Sequence, residues 1–301
     1  MDHVRHYKGI AALCVVIALA VGVTAVFGVF GRGDGATATG VSIRGEEFEY
    51  ATTGVYAYNA ERVVAEGVGW DMLTLFVVVP ALLASAVFVA RGSLKGRLVA
   101  AGLLGYVAYQ YLMYAVFWAL GPLLPAFVVL YPLALAGIVW IVSTIDVPAL
   151  PSRFSARFPR KTMAVFSALM ALQLIVMWSQ RIAIGLSGDL AGASLLGTTT
   201  LAVQALDLGI IVPLALATAY FAWRRRPIGY LLTAVFAVKG VTMSGAICAM
   251  LISAWMVEGA LDVGPFALFA TATAAAGLIA YRVFASVLPC SGVPSAAAQT
   301  S

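Results

Sequence analysis

Residues 71–98 read DMLTLFVVVPALLASAVFVARGSLKGRL, and residues 204–231 read QALDLGIIVPLALATAYFAWRRRPIGYL. Each holds an apolar run of about 20 residues, the length that carries a helix across a hydrocarbon core about 30 Å thick. Each run closes on a short basic turn and passes directly into a second apolar run. Lipid offers backbone amides no partner, so such runs are helices. The pattern is that of a helical hairpin threaded through a bilayer.

Working outward from these two hairpins, the chain offers eight such runs: Ile10–Phe30, Asp71–Ala90, Leu98–Ala119, Leu123–Ser143, Thr162–Ile184, Thr199–Trp223, Gly229–Met256 and Gly264–Val283. The whole 301-residue chain is 62% hydrophobic and 10% charged, with mean hydropathy +0.99. A soluble domain carries about 25% charged residues. The composition therefore predicts an all-α, polytopic protein with the lipid bilayer as its surroundings. It excludes a soluble enzyme and a nucleic-acid reader.

Lysines and arginines give the expected orientation. Placing the N-terminus in the cytoplasm collects Arg5 and Lys8; Arg91, Lys95 and Arg97; Arg153, Arg157, Arg160 and Lys161; Arg224, Arg225 and Arg226; and Arg282 on the inside. Arg32, Arg44 and Arg62 remain outside, with Arg181 near an outer helix end and Lys239 at mid-membrane. This is the positive-inside distribution with both termini cytoplasmic, in a multi-pass protein of a prokaryotic cytoplasmic membrane. The first run is about 21 residues, longer than the 7–15 of a signal-peptide core, so it reads as an anchor despite Ala36-Thr37-Ala38 beyond it.

The two opening stretches also align with each other at a shift of 133. Pro80, Arg91 and Gly96 fall on Pro213, Arg224 and Gly229, and eleven of twenty-eight positions are identical. The expected organisation is a parallel 4+4 repeat. Residues 1–144 form the first four-helix unit and 162–286 the second; 145–161 are a basic cytoplasmic linker and 287–301 a disordered tail. Residues 31–70 form a small extracellular loop. In it Val41-Ser42-Ile43, Phe48-Glu49-Tyr50 and Val55-Tyr56-Ala57-Tyr58 alternate as strands do, and its glutamates read as a solvated face.

Ionisable residues inside a bilayer are site candidates by default. Lys239 lies twelve residues beyond Pro227, about 18 Å of helical rise, and Asp207 lies seventeen before Arg224, about 25 Å. A lysine stem leans toward polar partners, so the two are expected to form a charge pair. Tyr106, Tyr109 and Gln110 share a face of the third helix, and Gln173 sits at mid-depth on the fifth. Together these six predict a polar cavity between the repeats that binds a small molecule or ion. The plainer readings are a structural ion pair, glutamines joining helices, Arg181 as an interface anchor, and simple kinks at Pro80 and Pro213.

No cofactor is expected. The two histidines, His3 and His6, precede the first run, and Cys14, Cys248 and Cys290 are scattered without a CxxC, so they read as small packing residues. The leading function is a transporter or ligand-binding protein. One alternative is an enzyme acting on lipid or quinone, for which Asp146 and Asp71 are the thin candidates. Another is a structural subunit or assembly factor, as a homo-oligomer or within a membrane complex. Ala237-Val238-Lys239-Gly240 resembles the lysine-bearing helix of microbial rhodopsins over those four residues, which would imply a Schiff base; the third helix has tyrosines and a glutamine where that family has acidic counter-ions.

Overall fold

The need to pair every backbone amide without water produces long, nearly uninterrupted helices, and the computed structural model, which describes residues 2–288, has eight that are long and apolar enough to cross a membrane. They are α1 (Asp2–Phe30), α2 (Glu61–Ala90), α3 (Leu94–Phe117), α4 (Leu124–Ser143), α5 (Arg160–Leu186), α6 (Ala202–Trp223), α7 (Pro227–Glu258) and α8 (Val263–Ala285). This is the architecture of a multi-pass membrane protein. Alternation of the helices divides the connections between two faces. The basic turns 91–93 and 224–226 share one face with the 144–159 connection. The opposite face carries the 31–60 segment and the 187–201 loop.

The centre of the bundle is α3 against α7. Of the most apolar stretch of α3, 72% is buried inside the protein, against 11% for α8, so α3 is an interior helix and α8 a peripheral one. α3 packs on α2, α4 and α7, and α7 on α2, α6 and α8. Gly69 permits the α2–α7 crossing: a Cβ there would meet the Ala249 carbonyl and lie 2.8 Å from the Met250 Cα. α1 packs on both α2 and α4. The corresponding α5 packs on α6 but, among the described residues, forms no extensive contact with α8.

Both prolines sit just beyond a widened helical turn. A π-helical turn spans Thr74–Val78 ahead of Pro80, and another spans Asp207–Ile211 ahead of Pro213. A proline supplies no N–H and crowds the preceding turn; one extra residue in that turn accommodates it while keeping the helix continuous. The two turns lie 133 residues apart, as do the arginines Arg91 and Arg224 that follow the helix ends. Gly96 and Gly229 also play equivalent parts. A Cβ at Gly96 would lie 2.6 Å from the Phe88 Cβ, and one at Gly229 would lie 2.6 Å from the Phe221 carbonyl carbon. Only glycine lets each following helix turn back so closely.

Several features differ from the sequence reading. α2 starts at Glu61 rather than Asp71, so the 31–70 loop shrinks to 31–60; Glu61, Arg62 and Glu66 hid this first stretch from a hydropathy reading. The strands are Thr37–Val41 and Glu47–Ala51, antiparallel with Thr37 opposite Ala51, whereas Val55–Tyr58 is a turn rather than a third strand. The linker contains a 3₁₀ turn at Leu150–Arg153. Of the expected tail, Val287 bridges to Phe154 and the Leu288 N–H donates to the Arg153 carbonyl at 2.9 Å. Residues 289–301, with Cys290, lie outside the described residues.

Candidate functional site

A cavity of about 970 Å³ lies between α2 and α3 on one side and α5–α8 on the other, extending toward the hairpin-bearing face. Four of the six sequence-predicted residues line it: Tyr109, Gln173, Asp207 and Lys239. Its wall is otherwise rich in methionine and aromatic side chains, and the 187–201 loop covers its mouth with Ser194 and Leu196. Both of those residues adopt left-handed backbone (φ 49° and 52°).

The base of the cavity differs from the expected charge pair. Tyr109 donates its hydroxyl to Asp207 Oδ1, and Trp178 Nε1 donates to Asp207 Oδ2 at 2.8 Å. Lys239 is 6% exposed, and its Nζ lies 4.5 Å from the centre of the Tyr109 ring. The phenol thus bridges the opposite charges, presenting its π face to the ammonium and its O–H to the carboxylate. A direct Asp207–Lys239 contact is replaced because α3 inserts Tyr109 between α6 and α7. Asp207 is fully engaged by donors; Lys239 has no oxygen or nitrogen partner within the described residues.

Tyr106 and Gln110 belong elsewhere, which corrects their placement in the cavity. They point into a fully packed cluster around Asp71, itself 0% exposed. Tyr56 donates to Asp71 Oδ2, while Gln110 Nε2 and Tyr114 Oη donate to Oδ1 at 3.1 and 3.2 Å. Thr74 Oγ1 lies 2.9 Å from Gln110 Oε1 and 2.7 Å from Tyr106 Oη. Burial, and then the neighbouring Asp71 carboxylate, push the Tyr56 phenol well above its ordinary pKa, so Tyr56 keeps its proton and serves as donor. Among the described residues no cation takes part.

The sequence reading put Asp71 at the outer boundary because it started the helix there. With α2 beginning at Glu61, Asp71 lies ten residues in, about 15 Å of rise. Gly67 and Gly69 lie on different sides of this helix, Gly67 against the Trp118 ring and Gly69 against the α7 backbone at Ala249. Trp178 also escaped notice, and an indole among many apolar residues gives no sign that it will meet a carboxylate.

At the mouth, Arg62 reaches Glu66 at 3.1 Å, Glu258 at 3.2 Å and Asp262 at 2.8 Å, tying the start of α2 to the α7–α8 turn. Arg181 is not a simple interface anchor. Its Nε donates to the Ala193 carbonyl at 2.9 Å, and its guanidinium lies 5.9 Å from the Trp178 ring, on the cavity wall. Among the described residues no cluster of three histidine, cysteine or acidic side chains is arranged to hold a metal ion.

Comparison with family models, curated proteins and solved structures gives no significant match. The chemistry of the cavity itself therefore carries the functional reading.

Proposed function

We propose that this protein binds or transports a small molecule, and that the cavity between α2–α3 and α5–α8 is its site. The supporting observation is Lys239: a charged group is costly to bury, yet among the described residues this ammonium has no oxygen or nitrogen partner and lies at the base of a large cavity, separated from Asp207 by the Tyr109 ring. A ligand would supply the missing contacts. Tyr109 and Asp207 hold the lysine's surroundings in place, and Gln173 adds a polar contact from α5.

The matched π-turns, prolines and glycines support a parallel duplication of four helices about an axis along the membrane normal. The basic clusters support an orientation with that face in the cytoplasm, so the cavity would open outward. Two similar units meeting at a ligand site is an arrangement used by transporters.

The test is thermal unfolding of wild type, Lys239→Met and the Asp207→Asn/Lys239→Met double variant against a panel of small molecules and ions. A ligand present at about 100 times its Kd should stabilise wild type by about 2.7 kcal/mol, and the folded variants should lose that response. If nothing in a broad panel stabilises wild type and Lys239→Met unfolds unless Asp207→Asn accompanies it, the charges are structural and a subunit role replaces this reading.

A further inference from the structure

The charges that line the cavity are unequally engaged, and the imbalance selects a ligand class. Glu66, Glu258 and Asp262 are tied to Arg62 at the mouth. Asp207 receives two donors at the base. Among the described residues, the cationic groups of the base and wall are the less engaged: the Lys239 ammonium has only the Tyr109 ring beside its Nζ, and Arg181 spends only Nε, on the Ala193 carbonyl. An ammonium reaching the base would meet the Lys239 charge and a carboxylate whose two oxygens each already accept a donor. An incoming anion would find donors waiting.

The wall between them is apolar. Met113, Met170, Met177, Met243, Met250 and Phe269 all contribute to it, and unbranched thioethers adapt to irregular apolar shapes. The volume of about 970 Å³ is at the upper end for small-molecule sites. Nineteen residues of α7 separate Lys239 from Glu258, about 28 Å of rise, so the cavity is deep enough for an extended chain. Asp207 stands across Tyr109 from Lys239, and its negative charge would oppose a second charge on the ligand.

We infer that the ligand is a hydrophobic monoanion, with a single carboxylate or similar head against Lys239 and an extended apolar body among the methionines. This rests on the cavity being the binding site, and the experiment separates the two statements. The protein, in phosphatidylcholine nanodiscs, is titrated with ω-bromoundecanoate, ω-bromoundecanol and ω-bromoundecyl-trimethylammonium. Trp70, Trp118 and Trp178 line the cavity, so bromine quenching of their fluorescence reports occupancy. The carboxylate should quench saturably, and the other two only in proportion to their partition into lipid. Lys239→Met should weaken carboxylate binding at least about tenfold, and Lys239→Arg only a few-fold.

Asp207→Asn supplies an independent arm if Lys239→Met fails to fold: removing the opposing charge should tighten carboxylate binding a few-fold, and unchanged or weaker binding by this variant, when folded, counts against the proposal. Saturable binding of the alcohol or the ammonium as tight as the carboxylate overturns it while leaving the cavity as a site. So does a carboxylate affinity unmoved by Lys239→Met. If no probe saturates and no member of the broader panel stabilises the protein, both statements fail.

Discussion

The π-turn of α2 and the π-turn of α6 lie 133 residues apart, each just ahead of a proline, and have opposite surroundings. Beside the first, Asp71 and Thr74 face Tyr56, Tyr106, Gln110 and Tyr114, and the space is filled. Beside the second, at the positions equivalent to Asp71 and Thr74, are Gln204 and Asp207, and the space is a cavity. The acid has moved by one helical turn. Lys239 stands where the first half has Tyr106. A tyrosine cluster satisfies its carboxylate internally and leaves nothing over; with Lys239 in place of Tyr106, Ile247 in place of Tyr114 and the non-donating Met243 in place of Gln110, there is a charge without an oxygen or nitrogen partner among the described residues and room beside it. On the proposed reading, one arrangement is a structural core beside the first π-turn and a recognition site beside the second.

This contrast can be broken first at Asp71. Asp71→Ala should strand the donors of Tyr56, Gln110 and Tyr114 in a dry interior and cost on the order of 2–4 kcal/mol, measured as the unfolding free energy in mixed micelles. If the variant is as stable as wild type, the first-half cluster is not structural. Gly69→Leu comes next: it forces α2 away from the α7 backbone and should cost about 1–3 kcal/mol while widening the cavity side of the contact. A neutral result would mean that the α2–α7 crossing is looser than its geometry. Asp71→Asn preserves shape and most hydrogen bonding and should cost about 1 kcal/mol, less than the alanine variant in the same assay.

The smallest effect is expected at the mouth. Arg62 is partly exposed, so Arg62→Ala should cost only about 0.5–1 kcal/mol, and less in high salt. A loss as large as that of Asp71→Ala would make the α2–α7 tie at the mouth as important to stability as the tyrosine cluster that joins α2 to α3.

Much of this was legible in the sequence, for identifiable reasons. Helix number followed from run length, because a bilayer leaves the backbone no alternative. The shift of 133 was readable because proline, arginine and glycine stand out against an apolar background. Lys239 and Asp207 were found because charge is rare in such runs. What escaped was direction around the helix. Tyr106, Tyr109 and Gln110 lie within two turns, yet Tyr109 faces the cavity and the other two face Asp71; which way each points depends on where α7 and α2 press against α3. The start of α2 also escaped, since Arg62 and Glu66 make a polar stretch whose partners, Glu258 and Asp262, are nearly two hundred residues away.

The most direct test of the contrast is the unfolding free energy of Lys239→Met without ligand, set beside wild type. Among the described residues Lys239 has no oxygen or nitrogen partner to lose, only its contact with the Tyr109 ring, and Asp207 keeps Tyr109 and Trp178, so the gain from no longer burying the ammonium should offset that contact and leave the variant about as stable as wild type. A loss on the scale of Asp71→Ala, recovered in the Asp207→Asn/Lys239→Met double variant, would show that the second half too is held by its charges, and the division between structural core and binding site would not stand.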